Sequence, residues 1–458
     1  MTSPTASAAP LMLSVSGARG IVGQSLTPTM IARYAAAVGS WLREQVADRP
    51  PHVVLGRDSR PSGPLCEHAA IAGLLGVGCR VTCLGVATTP GVAIMTQHLG
   101  ADGGMVITAS HNPIIWNGIK TLRHDGVAPP PDQAKQIIDR FHDDRIDYVD
   151  VESLQPVAYN DDTPRVHRDA ILPHIDASAI RNAKLKVVVD GVHGAGGMET
   201  AAMLEALGVA CVHKYADPTG RFPHPPEPTA EHLTELCELV PTHGAAVGFA
   251  QDPDADRLAI VDEQGRYIGE EYTLALCARH VLKAGQVAAA NLSTSRMLDD
   301  VAAAVDGRVV RTPVGEANVA AGMQQYQASI GGEGNGGIIL PKVSYVRDSL
   351  VGIALVLEML AKRQKPLSEI VAETPSYAIL KDKVPVDPEL VKKLGPTLRG
   401  AFADAQVDDQ DGVRLDWADR WVHVRPSNTE PILRLIAEAR DDDTAQALLA
   451  QTREALGL

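Results

Sequence analysis

The sequence predicts an α/β protein, with three similar mixed α/β domains followed by a smaller α+β domain. Three observations carry this. The chain has 458 residues, room for three or four domains at ~100–200 residues each. Apolar runs and helical stretches follow one order, strand, helix, strand, helix, strand, and that order occurs three times. The alternation then gives way to closely spaced strands and a closing helix. The repeat exceeds ~50 residues without visible identity, which marks repeated domains rather than a solenoid.

The elements follow in order. Ser14-Val15-Ser16-Gly17-Ala18-Arg19-Gly20 sets Arg19 between glycines, either a close approach to a ligand or a tight turn. In the first repeat His52–Leu55 is a strand, Leu65–Leu75 a helix, Arg80–Leu84 a strand and Pro90–His98 a helix. The strand Met105–Ile107 then runs into Thr108-Ala109-Ser110-His111-Asn112-Pro113. Pro113 disfavours a helical Asn112, so Ser110 is a hydroxyl at a strand's C-terminal mouth, where open α/β sheets place ligands. Lys120 follows on Gly118-Ile119-Lys120. The second repeat has strand Lys186–Val189, the glycine-rich turn Asp190–Gly197, helix Glu199–Leu207 and strand Ala210–Lys214. After a proline-rich loop, helix Ala230–Leu239 leads to strand Ala245–Phe249 and then Asp252-Pro253-Asp254-Ala255-Asp256-Arg257. The third has strand Val287–Ala290, helix Arg296–Ala304, strand Val309–Arg311, helix Glu316–Tyr326 and strand Ala328–Ile330, ending in Gly332-Glu333-Gly334-Asn335-Gly336-Gly337. Asp348 is the N-cap of an apolar helix to about Ala361. In the last part Asp387 caps a helix with Pro388 at its first position, and Gly395-Pro396 should interrupt it before Phe402. Strands Gly412–Trp417 and Trp421–Val424, the loop Arg425–Pro431, an alternating strand through Leu433, Leu435 and Ala437, and helix Asp443–Leu456 complete the chain.

Charge and cysteine content narrow the function. The formal charge of −14 argues against a nucleic-acid or anionic-membrane partner, so an anionic substrate would need local cationic contacts. The six cysteines include no CxxC pair, and Cys79 and Cys83 share a strand-like run. Buried free thiols are expected rather than metal ligands or disulfides, which fits a reducing, cytoplasmic compartment. The first ten residues lack a basic region and read as a tail rather than a signal peptide. No apolar run approaches the ~20 residues of a membrane span.

The loops carry the chemistry. Asp252, Asp254 and Asp256 set three carboxylates within five residues. An extended loop would turn all three to one side, where they would repel without a cation. Oxygen ligands of this kind suit Mg²⁺, and a solvated acidic turn is the alternative. An EF-hand is rejected: Glu263 falls at the twelfth position, but Arg257 occupies the sixth, where glycine is needed. Arg425, Ser427, Asn428 and Thr429 form either a phosphate clamp of fork, hydroxyls and amide or a polar turn. Glu333 and Asn335, among four glycines, suit sugar hydroxyls or a plain glycine-rich hairpin. Together, a nucleophilic hydroxyl, a metal loop, a polyol reader and a phosphate clamp belong to phosphoryl transfer on a sugar phosphate.

The four loops, Thr108–Pro113, Asp252–Arg257, Gly332–Gly337 and Arg425–Pro431, resemble the signature loops of the α-D-phosphohexomutases, in that family's order and spacing. The resemblance implies four domains around a central cleft, the last similar to the TATA-box-binding protein but without DNA binding. Domains are expected at 1–158, 159–262, 263–373 and 374–458. It also implies that Ser110 carries a phosphoryl group and that one Mg²⁺ bridges it to Asp252, Asp254 and Asp256. A hexose 1,6-bisphosphate is the implied intermediate and activator. Lys120 is the implied general base, with Arg19, His111 and Arg257 beside the transferring group, and the Arg425 loop holds the idle phosphate. Many relatives carry a histidine where this chain has Gly337, and some a serine at Asn335. His111 or Lys120 would serve in place of that histidine. The Ser14–Gly23 stretch and the Gly-Asn-Gly-Gly loop look most like phosphoglucosamine-mutase relatives, so glucosamine phosphate is the expected substrate. A phosphomannomutase or phosphoglucomutase is the alternative; a metal-dependent sugar phosphatase or a non-catalytic sugar-phosphate-binding protein is more remote. A monomer or homodimer is expected.

Overall fold

The computed structural model describes residues 10–46, 48–385, 387–427 and 432–458. They form two compact units, Met1–Thr273 with Gly336–Val371, and Leu274–Asn335 with Ala372–Leu458.

The first unit contains a seven-stranded sheet in the order Met12–Ser14, Gly17–Ile21, Trp116–Arg123, Gly103–Ile107, His52–Arg57, Arg80–Val86, Val157–Tyr159. Its central strands, Gly103–Ile107, His52–Arg57 and Arg80–Val86, run parallel. Alternation of side chains divides their residues between two cores. Val53, Leu55, Met105 and Ile107 pack with Ala35, Val38 and Trp41 of helix Pro28–Gln45. Val54 and Val106 pack on the opposite face with Val92 and Met95 of helix Thr89–His98. Thr27 and Thr88 cap these two helices, each side chain accepting a backbone N–H in the first turn. Helix Gly63–Gly76 lies so close to Pro28–Gln45 that a Cβ on Gly73 would stand 2.1 Å from the Ala32 carbonyl oxygen. Trp116–Arg123 pairs antiparallel with both Gly103–Ile107 and Gly17–Ile21, which sets Lys120 beside the strand that ends at the serine loop and Arg19 one strand further out. A second sheet has the order Leu258–Asp262, Val247–Gln251, Lys186–Asp190, Ala210–Lys214. Helix Ser349–Arg363 also belongs to this unit, with Ser349 to Ala361 all buried and Asp348 capping it as expected.

In the second unit, Val287–Asn291 lies parallel between Arg308–Thr312 and Ile330–Glu333. A five-stranded antiparallel sheet follows in the order Ala378–Pro385, Ile432–Ala439, Trp421–Pro426, Val413–Asp416, Gln406–Asp408. Val422, Val424, Leu433, Leu435 and Ala437 alternate inward against helices Pro388–Ala401 and Asp442–Leu456.

Two elements differ from the sequence reading. The stretch from Ala230 is a short 3₁₀ turn, Ala230–His232, and a separate helix, Thr234–Thr242, because Leu233 leaves helical geometry at φ −109° and ψ 21°. Helix Pro388–Ala401 is not interrupted at Gly395-Pro396. Leu394 and Leu398 are buried on either side of the proline, so core packing offsets its missing hydrogen bond, and Gly395 faces open space where the backbone can adjust. Among the described residues no disulfide joins the cysteines, but their burial is uneven: Cys66, Cys79, Cys83 and Cys277 are buried, Cys237 is half-buried and Cys211 is exposed. Among the described residues no helix is long and apolar enough to cross a membrane.

Candidate active site

The strand Gly103–Ile107 ends inside the first unit, and the chain turns sharply after it. Asn112 N–H donates to the Ala109 carbonyl at 3.1 Å, and Ser110 takes a left-handed φ of 50°. Non-glycine residues rarely sit there, at a cost of about 1–2 kcal/mol. Local bonds hold it: Ser110 N–H donates to Thr108 Oγ1 at 2.8 Å, and that hydroxyl donates to Asp58 Oδ2 at 2.7 Å. Ser110 is buried, yet its Oγ donates to Asp252 Oδ2 at 2.6 Å and lies 3.4 Å from His111 Nδ1.

Asp252, Asp254 and Asp256 are fully buried, and one oxygen from each lies within 4.8 Å of the others. The convergence arises differently from the extended loop expected from sequence. Ala255 has φ 54°, its N–H donates to the Asp252 carbonyl at 2.9 Å, and Asp252 Oδ1 accepts the N–H groups of Asp256 and Arg257 at 3.1 Å each. A tight turn therefore gathers the carboxylates. Asp254 Oδ2 accepts from Thr89 Oγ1 at 2.6 Å and Lys120 Nζ at 2.7 Å. Asp256 Oδ2 accepts from Lys120 Nζ at 2.9 Å and Arg347 Nη2 at 2.7 Å. Arg19 Nη1 donates to Asn112 Oδ1 at 3.0 Å, and Arg257 Nε lies 3.9 Å from Asp256 Oδ1.

The electrostatics follow from this packing. Burial, with the charges of Asp254 and Asp256, pushes the Asp252 carboxyl well above the ordinary range. Burial also opposes ionisation of Asp256, but Arg347, Lys120 and Arg257 outweigh it and hold that carboxyl low. Burial, then Arg257 and Arg19, depress His111 well below the ordinary imidazole range, so its ring is neutral at neutral pH. The triad fits a small hard cation. Its donors are all oxygens, and Asp254 Oδ1 and Asp256 Oδ1 are buried without a hydrogen-bond partner, a costly state that a cation would relieve.

The remaining expected residues lie in the second unit. Glu333 is buried, its Oε1 accepting from Asn291 Nδ2 at 2.8 Å and Gly315 N–H at 3.2 Å. Arg425 is buried and donates from Nε to Asp411 Oδ2 at 2.8 Å, an oxygen that also accepts the Val314 N–H at 3.0 Å. The adjacent residues Val314 and Gly315 thus connect Arg425 with Glu333 through Asp411. Arg425 Nη2 is buried without a hydrogen-bond partner among the described residues. Asn335 is half-buried, and Ser427 N–H donates to the Ile432 carbonyl at 2.8 Å. Asn428 and Thr429 lie outside the described residues.

The sequence reading did not single out Asp58, Thr89, Arg347 or Asp411. The one signal available was the charged run Arg57-Asp58-Ser59-Arg60 directly after an apolar strand. Nothing marks Thr89, Arg347 or Asp411 until the fold brings their partners near.

Comparison with known proteins shows the family. The four domain descriptions of phosphoglucomutase/phosphomannomutase match in order: alpha/beta/alpha domain I over residues 12–146, domain II over 165–265, domain III over 270–377, and the C-terminal domain over 383–455. The chain is 37% identical over 440 residues to a phosphoglucomutase/phosphomannomutase of Thermococcus kodakarensis, covering 94% of this chain and 95% of that one. It is 36% identical over 441 residues to a probable phosphoglucosamine mutase of Methanopyrus kandleri, with the same coverage of 94% and 95%. A crystal structure of a phosphoglucomutase/phosphomannomutase family protein from Burkholderia thailandensis superposes with a TM-score of 0.84 at 28% identity, covering 97% of this chain and 96% of that one. Identity sustained over nearly the whole length, with all four domains in order, places the chain in the phosphoglucomutase/phosphomannomutase family of phosphohexomutases, intramolecular phosphotransferases of the isomerase class.

Proposed function

We propose that the protein moves a phosphoryl group between O6 and O1 of a hexose phosphate through a phosphorylated Ser110 and a bound 1,6-bisphosphate, with glucosamine phosphate as the main substrate. One observation carries the mechanism: a buried serine hydroxyl, in a left-handed turn, donates at 2.6 Å to the first of three converging carboxylates. Asp252, Asp254, Asp256 and Ser110 would hold one Mg²⁺, which when bound neutralises charge on the phosphoryl oxygens. In the forward transfer the Ser110 Oγ–P bond breaks, and a new O–P bond forms at the free hydroxyl of the hexose phosphate. The proton of that hydroxyl passes to Lys120 or His111. Lys120, which as the site stands is an ammonium donating to Asp254 and Asp256, is the proposed base only after it has given up a proton, and His111, with its neutral ring 3.4 Å from Ser110 Oγ, is the acceptor at hand. In the return transfer the O–P bond at the other end of the bisphosphate breaks, the Ser110 Oγ–P bond forms again, and the proton taken up in the first transfer passes to the freed sugar oxygen. Arg19 and Arg257 are the proposed cationic contacts of the transferring group, since the transition state spreads negative charge over its oxygens. Glu333 and Asn335 are the proposed readers of the sugar hydroxyls. Arg425, Ser427, Asn428 and Thr429 are the proposed holders of the phosphate that does not react, and the buried Nη2 of Arg425, without a hydrogen-bond partner among the described residues, supports this.

Equatorial hydroxyls at C3 and C4 are common to glucose, mannose and glucosamine, so Glu333 and Asn335 would not discriminate among them. The names of the similar proteins divide between phosphoglucosamine mutase and phosphoglucomutase/phosphomannomutase. The Gly-Asn-Gly-Gly loop supports the first. Discrimination by one group at C2 without a dedicated partner should be modest, so side activity on glucose and mannose phosphates is expected. The test is kcat/KM for all three 6-phosphates at one Mg²⁺ concentration, with isomer and free phosphate measured together. Preference for mannose or glucose phosphate overturns the substrate and leaves the mechanism. Stoichiometric phosphate release without isomer overturns the mechanism.

A further inference from the structure

Arg60 belongs to none of the loops assigned above, yet it is fully buried in the first unit. A guanidinium carries five N–H donors in a rigid plane, and here the fork meets five acceptors. Nε donates to Asp58 Oδ2 at 3.1 Å. Nη1 donates to the carbonyls of Pro113 at 2.8 Å and Trp116 at 3.1 Å. Nη2 donates to the carbonyls of Ser110 and Asn112, both at 2.6 Å. The four carbonyls belong to one segment, residues 110–116, which begins with the serine. Asp58 secures the same loop from its other end, since Oδ2 also accepts from Thr108 Oγ1, which holds the Ser110 N–H. The Phe222 ring covers the guanidinium, 5.1 Å from centroid to Cζ.

We propose that Arg60 is a positioning residue for phosphoryl transfer: its guanidinium is the template on which the 110–116 loop folds, and it holds Ser110 in the left-handed conformation that aims Oγ at Asp252. The proposal rests on the reading of Ser110 as phosphoryl carrier. The left-handed φ of Ser110 costs free energy, and a charged donor on that residue's own carbonyl stabilises it. Lysine cannot substitute. An ammonium has three donors and no plane, so at least two of the five acceptors would lose their partner.

The experiment compares Arg60→Lys, Arg60→Gly and the milder Asp58→Asn with Ser110→Ala, all in the full-length chain. Readouts are melting temperature, mutase kcat and KM, and kcat with added guanidinium at non-denaturing concentration. Arg60→Lys should lower kcat about 100-fold, the loss that follows a misplacement of about 1 Å, with KM for the hexose phosphate within about twofold. Asp58→Asn should fall in the same direction by less. Guanidinium should restore kcat of Arg60→Gly at least about tenfold and leave the wild-type rate unchanged, a rescue that loss of fold alone would not give. Wild-type kcat in Arg60→Lys, or no guanidinium rescue of a folded Arg60→Gly, overturns the proposal while an inactive Ser110→Ala keeps the reading of Ser110. Wild-type activity in Ser110→Ala overturns that reading and the proposal with it.

Discussion

Asp252 and Asp254 sit two residues apart in one turn but face different neighbours. Asp252 meets the Ser110 hydroxyl and the other two carboxylates, while Asp254 meets Lys120 and Thr89. Replacing Asp254 by asparagine keeps the shape and removes one negative charge from a crowded buried set. Mg²⁺ affinity, measured by calorimetry, should fall at least about tenfold, because a carboxylate is lost from the donor set. The melting temperature should change little, since relief of repulsion offsets the lost ion pair with Lys120. Unchanged Mg²⁺ affinity would show that the triad is not the metal site. Arg425→Ala tests the clamp. A charge-assisted contact contributes about 1.5–3 kcal/mol, so KM for hexose phosphates should rise roughly 10–100-fold, and unaltered kinetics would place the clamp elsewhere. Ser110 and the three aspartates stand out in the sequence because each lies in a short polar loop that follows an apolar strand, whereas Arg425, expected in a loop, lies within the strand Trp421–Pro426. Thr89 and Arg347 do not stand out. Each bonds to Asp254 or Asp256, residues far away in the chain, and no local pattern records it.

Helices of the first unit meet at a single imidazole. His167, on Thr163–Ile171, stands between Glu199 Oε2 at 2.5 Å and Asp348 Oδ2 at 2.8 Å. Glu199, on Gly196–Ala206, accepts from both N–H and Oγ1 of Thr88, the cap of Thr89–His98, each at 2.9 Å. Asp348 caps Ser349–Arg363. Burial alone would depress His167, but the charges and hydrogen bonds of Asp348 and Glu199 outweigh it and raise the ring to about 10. A group raised in the fold contributes stability fully below its unfolded pKa, near 6.5, and loses that contribution as pH climbs to the folded value. The melting temperature should therefore decline between about pH 7 and pH 10, by a contribution on the order of a few kcal/mol. His167→Gln should be less stable at pH 7 and show a shallower decline. An identical decline in the variant would mean that the imidazolium does not link these helices. Asp348 as a cap was legible from its place before an apolar run. The partner it shares with Glu199 was not, because three separate stretches of chain converge there. The helix through Pro396 teaches the same point: local chemistry marks a break, and burial of Leu394 and Leu398 overrides it.

At the scale of the molecule, the three repeats were readable because strand and helix periods differ and recur. Compact units were not readable. Helix Ser349–Arg363 follows the third repeat in the chain but packs in the first unit, since its apolar surface can be buried by any element the chain brings near. The chain carries 42 basic and 56 acidic residues, for −14 overall, whereas its proposed substrate is an anion. The cations that would receive that anion, Arg19, Lys120, Arg257 and Arg347, gather around the carboxylate triad. Two fields of opposite sign thus act at different ranges. At about 10 mM salt the Debye length is roughly 30 Å, so distant surface carboxylates repel the incoming substrate; at about 100 mM it is roughly 10 Å and they are screened first. Contacts of a few ångströms in a buried site are screened much less. At fixed free Mg²⁺, kcat/KM should therefore rise between about 10 and 100 mM monovalent salt, then fall at higher concentration as the local attraction weakens in turn. A steady fall from the lowest ionic strength would show that the long-range field at the site is positive, and that the acidic surface faces away from the path of the substrate.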